Sequence, residues 1–166
     1  NSARSLAETL RILRTRQNAE GGFGLWNASM QADEFASVYA IHLLLEAHER
    51  GLSVPEDMHR SGTAYLQQLA ASPSNSLAGL RTRSYAAYLL TRQTQITSPL
   101  LASLRESLQA QFPKLWRDDL AAAYLAASYQ LLVGEFDLQA RGQAAFGEHE
   151  ELFALGLSHV IEHLRG

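Results

Sequence analysis

Cysteine is absent from the 166 residues of this chain. That absence excludes a disulfide scaffold, a Cys-ligated zinc or iron–sulfur site and a Cys nucleophile within these residues. No apolar run approaches the roughly 20 residues that a membrane-spanning helix needs, and no signal-peptide pattern opens the sequence. An excess of positive charge is also missing, because the net charge is −3. This balance argues against a dedicated nucleic-acid binder.

β-Branched aliphatic residues are scarce as well. The chain has four Val and four Ile, against 28 Leu and 25 Ala. Leu and Ala favour helices, whereas Val and Ile favour strands. The composition therefore predicts an all-helical protein. Its length suits one domain that buries a core without a disulfide or metal, and we predict a single domain over residues 1–166.

Apolar residues recur at helical spacing between turn residues, which predicts about eight helices. Asp33 is predicted to cap the second helix, and Gly51 to end it. Ser53 is predicted to cap the third helix through a capping box with Glu56. The first helix is predicted to end near residue 17, and the fifth to start at residue 97 and include residue 108. The other predicted helices span about 33–51, 53–72, 80–93, 118–134, 137–146 and 148–166.

The even-numbered helices differ from the odd-numbered ones. Residues 35–40, 84–88 and 121–124 combine small side chains with an aromatic one. The odd-numbered helices are more polar and carry a single apolar stripe. Because helices that are apolar nearly all round are buried, this alternation predicts an α/α toroid, or part of one, with an inner and an outer layer. Tyr39, Tyr88 and Tyr124 then lie on inner helices; a plain α-solenoid is the alternative fold.

A loop rich in glycine and aromatic residues follows the first helix. Residues 17–26 read QNAEGGFGLW, which is more apolar than a solvated loop should be. Glycine allows tight turns and close backbone approach, so we predict a structural loop that packs inward and covers one end of the helical ring. A phosphate-binding loop is disfavoured, because a preceding strand and a nearby Lys are missing. The predicted loop residues are Gly21, Gly22, Phe23, Gly24 and Trp26, with Phe23 and Trp26 buried.

Together with the runs DEFASVYA at 33–40 and LLLEAHERGLSVP at 43–55, this loop resembles the thioester-domain region of bacterial α2-macroglobulins. The similarity covers most of the chain and is clearest over residues 17–69. Glu20 is a mild departure, because many relatives carry Asp before the two glycines. The loop alone is shared with other α/α toroids, notably terpenoid cyclases and protein prenyltransferase subunits.

The resemblance implies a piece of a large, usually lipid-anchored protein of the periplasm or cell envelope that traps attacking proteases. The partners would be other domains of the parent protein and, through that protein, the target proteases. We also expect no nucleic-acid partner, no membrane insertion by these residues and no cofactor. The thioester motif of the family, Cys-x-Glu-Gln, would lie upstream of Asn1, so these residues should have no covalent or catalytic chemistry. A parent with the motif and one without it both fit.

An enzyme is the competing class. The stretch HVIEH at 159–163 matches the zinc-binding pattern H-x-x-E-H, in which Glu162 would activate water. A catalytic zinc site needs a third protein ligand, and only three residues follow. We therefore expect an exposed helix face, with His159 and His163 as weak metal candidates.

A glycosidase on an (α/α) barrel would need two carboxylates facing each other across a sugar. The loop acids are Glu20, Asp33, Asp118 and Asp119, and helix capping explains the three Asp residues more simply. A prenyltransferase or terpene cyclase would need an Asp-rich or zinc-binding motif that these residues do not show. An α-solenoid binding module stays open. We predict no catalytic residue, and exposed apolar surface at the N-terminal edge of the helical layer.

Overall fold

Six α-helices follow one another in the computed structural model, which describes residues 2–24 and 33–142. A short 3-10 helix, Trp116–Asp118, precedes the last of them. The α-helices are α1 (Ser2–Arg16), α2 (Glu34–Glu49), α3 (Glu56–Ala71), α4 (Leu77–Arg92), α5 (Ser98–Gln111) and α6 (Leu120–Gly142). The predicted all-α class is confirmed for the described residues.

The helices form two layers around α4. This helix packs against α2, α3, α5 and α6, and ten of its 16 residues are buried. The outer helices bury one stripe each, for example Leu101, Leu104 and Leu108 on α5. On α1, Leu10 and Leu13 are half-buried and pack against the core. The predicted alternation of inner helices (α2, α4 and α6) with outer helices (α1, α3 and α5) is therefore present, in a toroid-like, all-α arrangement.

Small residues let the inner helices approach one another. Ser84, Ala86 and Ala87 on α4 are fully buried. The Ser84 hydroxyl donates to the Leu80 carbonyl of its own helix at 2.8 Å, so it enters the core without an unpaired polar atom. Buried hydroxyls that are satisfied in this way cost little.

Of the three caps predicted for α2 and α3, two are confirmed and one is wrong. Asp33 accepts a hydrogen bond from the Ala36 amide at 2.7 Å, and Gly51 follows α2 with φ +72°. Ser53 does not cap α3, which begins at Glu56 with Pro55 in the N-cap position. The reason is Val54: a residue that precedes proline is disfavoured in the α region, so the helix cannot start there.

The predicted helix end at Gly134 is also wrong, and so is the predicted new helix over 137–146. Helix α6 runs through Gly134 to Gly142. Glycine inside a helix costs only about 1 kcal/mol relative to alanine, so a single glycine is a weak stop signal within a helix of 23 residues. The predicted helix at 148–166 lies outside the described residues.

Candidate functional site

The glycine–aromatic loop folds into a short hairpin in its described part, residues 17–24. Gln17 and Phe23 pair as an isolated antiparallel bridge. The Asn18 amide donates to the Gly22 carbonyl at 2.9 Å. The Asn18 side-chain oxygen accepts from the amides of Glu20 at 3.1 Å and Gly22 at 3.0 Å. The Asn18 side chain therefore provides the hydrogen-bond acceptor for two backbone amides of the turn.

Gly21 brings the loop against the backbone of α3. It has φ +86°, a conformation that favours glycine. A Cβ at this position would lie 2.0 Å from the carbonyl oxygen of Ser61. The Gln17 side-chain amide adds a second attachment, because it donates to the carbonyls of Gly21 and Met58, both at 3.2 Å. Only glycine fits this contact.

Phe23 enters the core between the loop and α2. Its side chain is 2% exposed. Its amide donates to the Ser37 hydroxyl oxygen at 2.8 Å, and that hydroxyl donates back to the Phe23 carbonyl at 3.1 Å. Gly22 and Gly24 are buried beside it. The loop is thus fastened to both α2 and α3. The predicted loop residue Trp26 lies outside the described residues.

A second feature, the aromatic face, lies on the inner helices and consists of Phe35, Tyr39, Tyr85, Tyr88 and Tyr124. Tyr85 and Tyr124 stack with ring centroids 4.6 Å apart and planes 9° apart. Phe35 and Tyr39 stack at 6.4 Å. Burial, reinforced by Tyr124 and Tyr39, raises the pKa of Tyr85 to about 12. Tyr85 is therefore neutral over the physiological range.

A polar cluster holds α2 to α4 beside the aromatic face. The Arg92 guanidinium lies 2.9 Å from Nε2 of His42. Because a guanidinium only donates, Nε2 accepts, and Nδ1–H of His42 donates to the Tyr85 oxygen at 2.6 Å. Arg92 also donates to Glu46 at 2.9 Å, and this hydrogen bond lowers the pKa of the Glu46 carboxyl. Tyr85, His42, Arg92 and Glu46 are therefore joined by a continuous series of hydrogen bonds.

Two of the four loop acids that a glycosidase would use, Asp33 and Asp119, cap helices. Asp33 caps α2. Asp119 caps α6 through the Ala121 amide at 2.9 Å and accepts from Nε of Arg81 at 2.8 Å. The Arg81 hydrogen bond lowers the pKa of Asp119. Glu20 is exposed. The prediction that Asp118 also caps α6 is wrong, because Asp118 ends the 3-10 helix and Asp119 occupies the cap position before Leu120. A general acid needs a raised pKa, which neither Asp119 nor Glu46 has.

The zinc hypothesis falls on residues that the structure does not describe, because His159, Glu162 and His163 lie beyond residue 142. Among residues 2–24 and 33–142, no group of three or more His, Cys, Asp or Glu side chains is placed to hold a metal ion. Within the same residues, no helix is both long and apolar enough to cross a bilayer.

Comparison with known proteins decides the family. The chain is 46% identical over 127 residues to the alpha-2-macroglobulin homolog of Yersinia pestis, which covers 76% of the chain and 6% of that protein. It is 41% identical over 133 residues to the alpha-2-macroglobulin of Rickettsia conorii, with 80% and 7% covered. The chain belongs to the bacterial alpha-2-macroglobulin family. It spans less than a tenth of the length of these relatives.

A third alpha-2-macroglobulin, from Pasteurella multocida, is 35% identical over 136 residues, which is 77% of the chain and 7% of that protein. No protein-family model matches the chain, and no solved structure matches it. The assignment to the bacterial alpha-2-macroglobulins therefore depends on these sequence relatives.

Sequence reasoning missed several residues that hold this alpha-2-macroglobulin segment together. Asn18 and Gln17 stand in the loop motif, but their hydrogen bonds depend on the turn geometry and on α3. Ser37 stands among small residues that predict close packing, and its bond to Phe23 joins positions 14 residues apart. His42 and Tyr85 are 43 residues apart. The sequence offered one signal for such residues, which is a polar residue on an otherwise apolar helical face.

Proposed function

We propose that this chain is a non-catalytic helical platform of a bacterial alpha-2-macroglobulin-like protein that traps attacking proteases. The observation that carries the proposal is its identity of 46% and 41%, over at least three-quarters of the chain, to proteins of that name. In this proposal a protease cuts a bait region elsewhere in the parent protein. The parent protein then changes shape around the protease, while these helices keep their fold.

The packing of the described residues supports a rigid role. Helix α4 contacts four other helices, and the loop is fixed to α3 by Gly21 and to α2 by Phe23. Polar side chains join α2 to α4 in the partly buried cluster of His42, Arg92 and Glu46. Hydrogen-bonded networks of this kind help to hold packed helices in one arrangement. A rigid segment can transmit movement between neighbouring domains without losing its own structure.

We further propose that the parent protein lies in the cell envelope and is lipid-anchored, as the family resemblance implies. A thioester, if the parent carries one, uses a Cys from outside these 166 residues, because they contain none. Fractionation of cells that express the full-length protein tests the location. Recovery in the cytoplasmic fraction would contradict this part of the proposal.

The trapping proposal is tested with the full-length protein and a protease that cleaves it. Steric trapping predicts that the protease loses activity on a large protein substrate but keeps activity on a small peptide substrate. Gly21→Ala should abolish this difference, because a Cβ at residue 21 collides with α3. Gly134→Ala is the matched control, since nothing lies within 4 Å of a Cβ there. Equal cleavage of the large substrate with and without the intact protein would contradict trapping.

A further inference from the structure

Tyr85 of α4 and Tyr124 of α6 are the closest ring pair of the aromatic face. Their ring centroids lie 4.6 Å apart and their planes are 9° apart. The two helices pack against each other, so the contact joins separate elements of the fold. Each ring is a phenol whose hydroxyl can lose a hydrogen atom. The structure therefore holds two oxidisable rings face to face.

We propose that Tyr85 and Tyr124 are an oxidative crosslinking site, at which a small one-electron oxidant of the carbonate-radical class joins them into dityrosine. Each tyrosine loses one electron and its hydroxyl proton and becomes a neutral phenoxyl radical. The two radicals pair to form a carbon–carbon bond between ring positions ortho to the oxygens. The hydrogens on those two carbons then move to the oxygens. Two carbonate radicals take up the two electrons and two protons and leave as two bicarbonate ions.

The parallel arrangement of the rings suits this bond. In a phenoxyl radical the unpaired electron occupies a π orbital, whose lobes point out of the ring plane at the ortho carbons. Two parallel rings in contact direct these lobes towards each other. In an edge-to-face pair, which is the other common aromatic geometry, the edge of one ring would meet the lobe of the other. The small angle between Tyr85 and Tyr124 therefore favours coupling.

Burial gives the two tyrosines different access to the oxidant. Tyr85 is 6% exposed, whereas Tyr124 is only partly buried, so the oxidant meets Tyr124 first. An electron then passes from Tyr85 to Tyr124 across the stacked rings, while Tyr85 releases its hydroxyl proton to solvent and Tyr124 takes one up. A second oxidation of Tyr124 completes the pair of radicals. The oxidant therefore needs no access to Tyr85.

Tyr88 is the competing partner for Tyr124, and its surroundings disfavour it. Its ring centroid lies 6.1 Å from that of Tyr124, with the planes 34° apart, so the lobes are poorly aligned. The Arg92 guanidinium lies 5.9 Å from the centre of the Tyr88 ring, and a cation over a ring face opposes the removal of an electron. Tyr39 stacks on Phe35, which has no hydroxyl and forms no phenoxyl radical. The geometry therefore favours coupling between α4 and α6.

The product is a covalent link between two inner helices. It closes a loop of the chain between residues 85 and 124 and so restricts the unfolded chain, as a disulfide does. The chain has no cysteine, so a disulfide within it cannot supply such a link. Hydrogen exchange of α4 and α6 should therefore be slower in the linked protein. This inference goes beyond the proposed function and does not depend on trapping.

Oxidation of the full-length protein by carbonate radicals, generated by photolysis of a cobalt(III) carbonato complex, tests the site. Mass spectrometry of the digest should detect a Tyr85 peptide joined to a Tyr124 peptide, with the loss of two hydrogen atoms. Its yield should not depend on protein concentration, because the link forms within one polypeptide. Protein unfolded in urea should lose the link, because the rings no longer stack. Oxidation of Tyr39, which is 64% exposed, without any Tyr85–Tyr124 link would overturn the proposal.

Phenylalanine variants separate the candidate partners of Tyr124, because they keep the ring and remove the hydroxyl. Tyr88→Phe and Tyr39→Phe are the matched controls and should keep the wild-type yield of the Tyr85–Tyr124 link. Tyr85→Phe should lose intramolecular dityrosine at Tyr124, with no compensating link to Tyr88. A Tyr88–Tyr124 link as the main wild-type product, or links between two copies alone, would also overturn the proposal. No protease is needed, so failure of trapping and failure of crosslinking are separate results.

Discussion

The guanidinium of Arg83 on α4 lies 3.0 Å from a carboxylate oxygen of Glu34, in the first turn of α2. Arg83 is 5% exposed, whereas the Glu34 side chain is about half exposed. Nε of Arg83 also donates to the Ser72 carbonyl at 2.8 Å. One buried cation therefore ties α4 to α2 and to the turn that follows α3.

Replacing Arg83 should weaken the fold substantially. Arg83→Met keeps much of the apolar volume but leaves the Ser72 carbonyl without this partner and Glu34 without its cation. A buried polar group left unpaired costs about 1–3 kcal/mol, and we expect a loss in this range in urea denaturation. Arg11→Ala is the control, because Arg11 pairs with Glu8 on the exposed side of α1 and should leave the midpoint almost unchanged. Equal midpoints for the two variants would contradict the role of Arg83.

Ser37→Ala should loosen the loop from α2. The substitution leaves the buried Phe23 amide without its acceptor, and we expect a loss of about 1–3 kcal/mol of unfolding free energy. Ser128→Ala is the matched control, because Ser128 is equally buried but donates only to the Tyr124 carbonyl of its own helix. Hydrogen exchange should show faster opening of residues 17–23 in Ser37→Ala alone. Unchanged exchange there would show that the Ser37 hydroxyl does not hold the loop.

Gly134→Ala should stabilise the protein. Gly134 lies inside α6, and a Cβ there meets no atom within 4 Å. Alanine has the higher helix propensity, so the expected gain is about 0.5–1 kcal/mol. Thermal unfolding followed by circular dichroism measures it. A lower Tm would indicate that α6 ends or bends at residue 134, as the sequence alone predicted.

We expect the free energy of unfolding to decrease in mild acid because of His59. It stacks on His48 with ring centroids 4.8 Å apart. Burial, and then the His48 charge, lowers the pKa of His59, while Glu56 raises it. The folded protein therefore binds the proton less well than the unfolded chain, whose pKa is about 6.5. Above about pH 6.5 His59 is neutral in both states, and the free energy of unfolding has its full value. As the pH falls from there towards the lower pKa of the folded protein, the unfolded chain binds the proton first, and the free energy of unfolding decreases.

His59→Gln tests this pH dependence. The wild-type Tm should fall more steeply than the Tm of the variant between about pH 7.5 and pH 5.5. The flanking Arg60→Gln substitution is a suitable control, because Arg60 is exposed on the same turn and should keep the wild-type slope. Parallel curves for wild type and His59→Gln would show that His59 does not titrate differently on folding.

The layers could be predicted from the sequence because they depend on helical periodicity. Asp33 and Gly51 were predictable for a similar reason, since caps follow local rules. The predicted cap at Ser53 was wrong because the proline two residues later restricts Val54. The predicted helix end at Gly134 was wrong because a single glycine is only a weak helix breaker. The Arg83–Glu34 pair joins positions 49 residues apart. Nothing in the local pattern indicates such a pair, because it depends on how α2 and α4 cross.

The attachment of residues 17–23 has a consequence for the order of folding. This hairpin relies on Met58 and Ser61 of α3 and on Ser37 of α2, so most of its anchoring partners come later in the chain. Contacts between distant positions form after local ones, because closing the intervening chain costs entropy. The hydrogen bonds between Phe23 and Ser37 therefore require α2 to be in place. Any fragment that ends before α3 would also lack the Met58 carbonyl that holds Gln17.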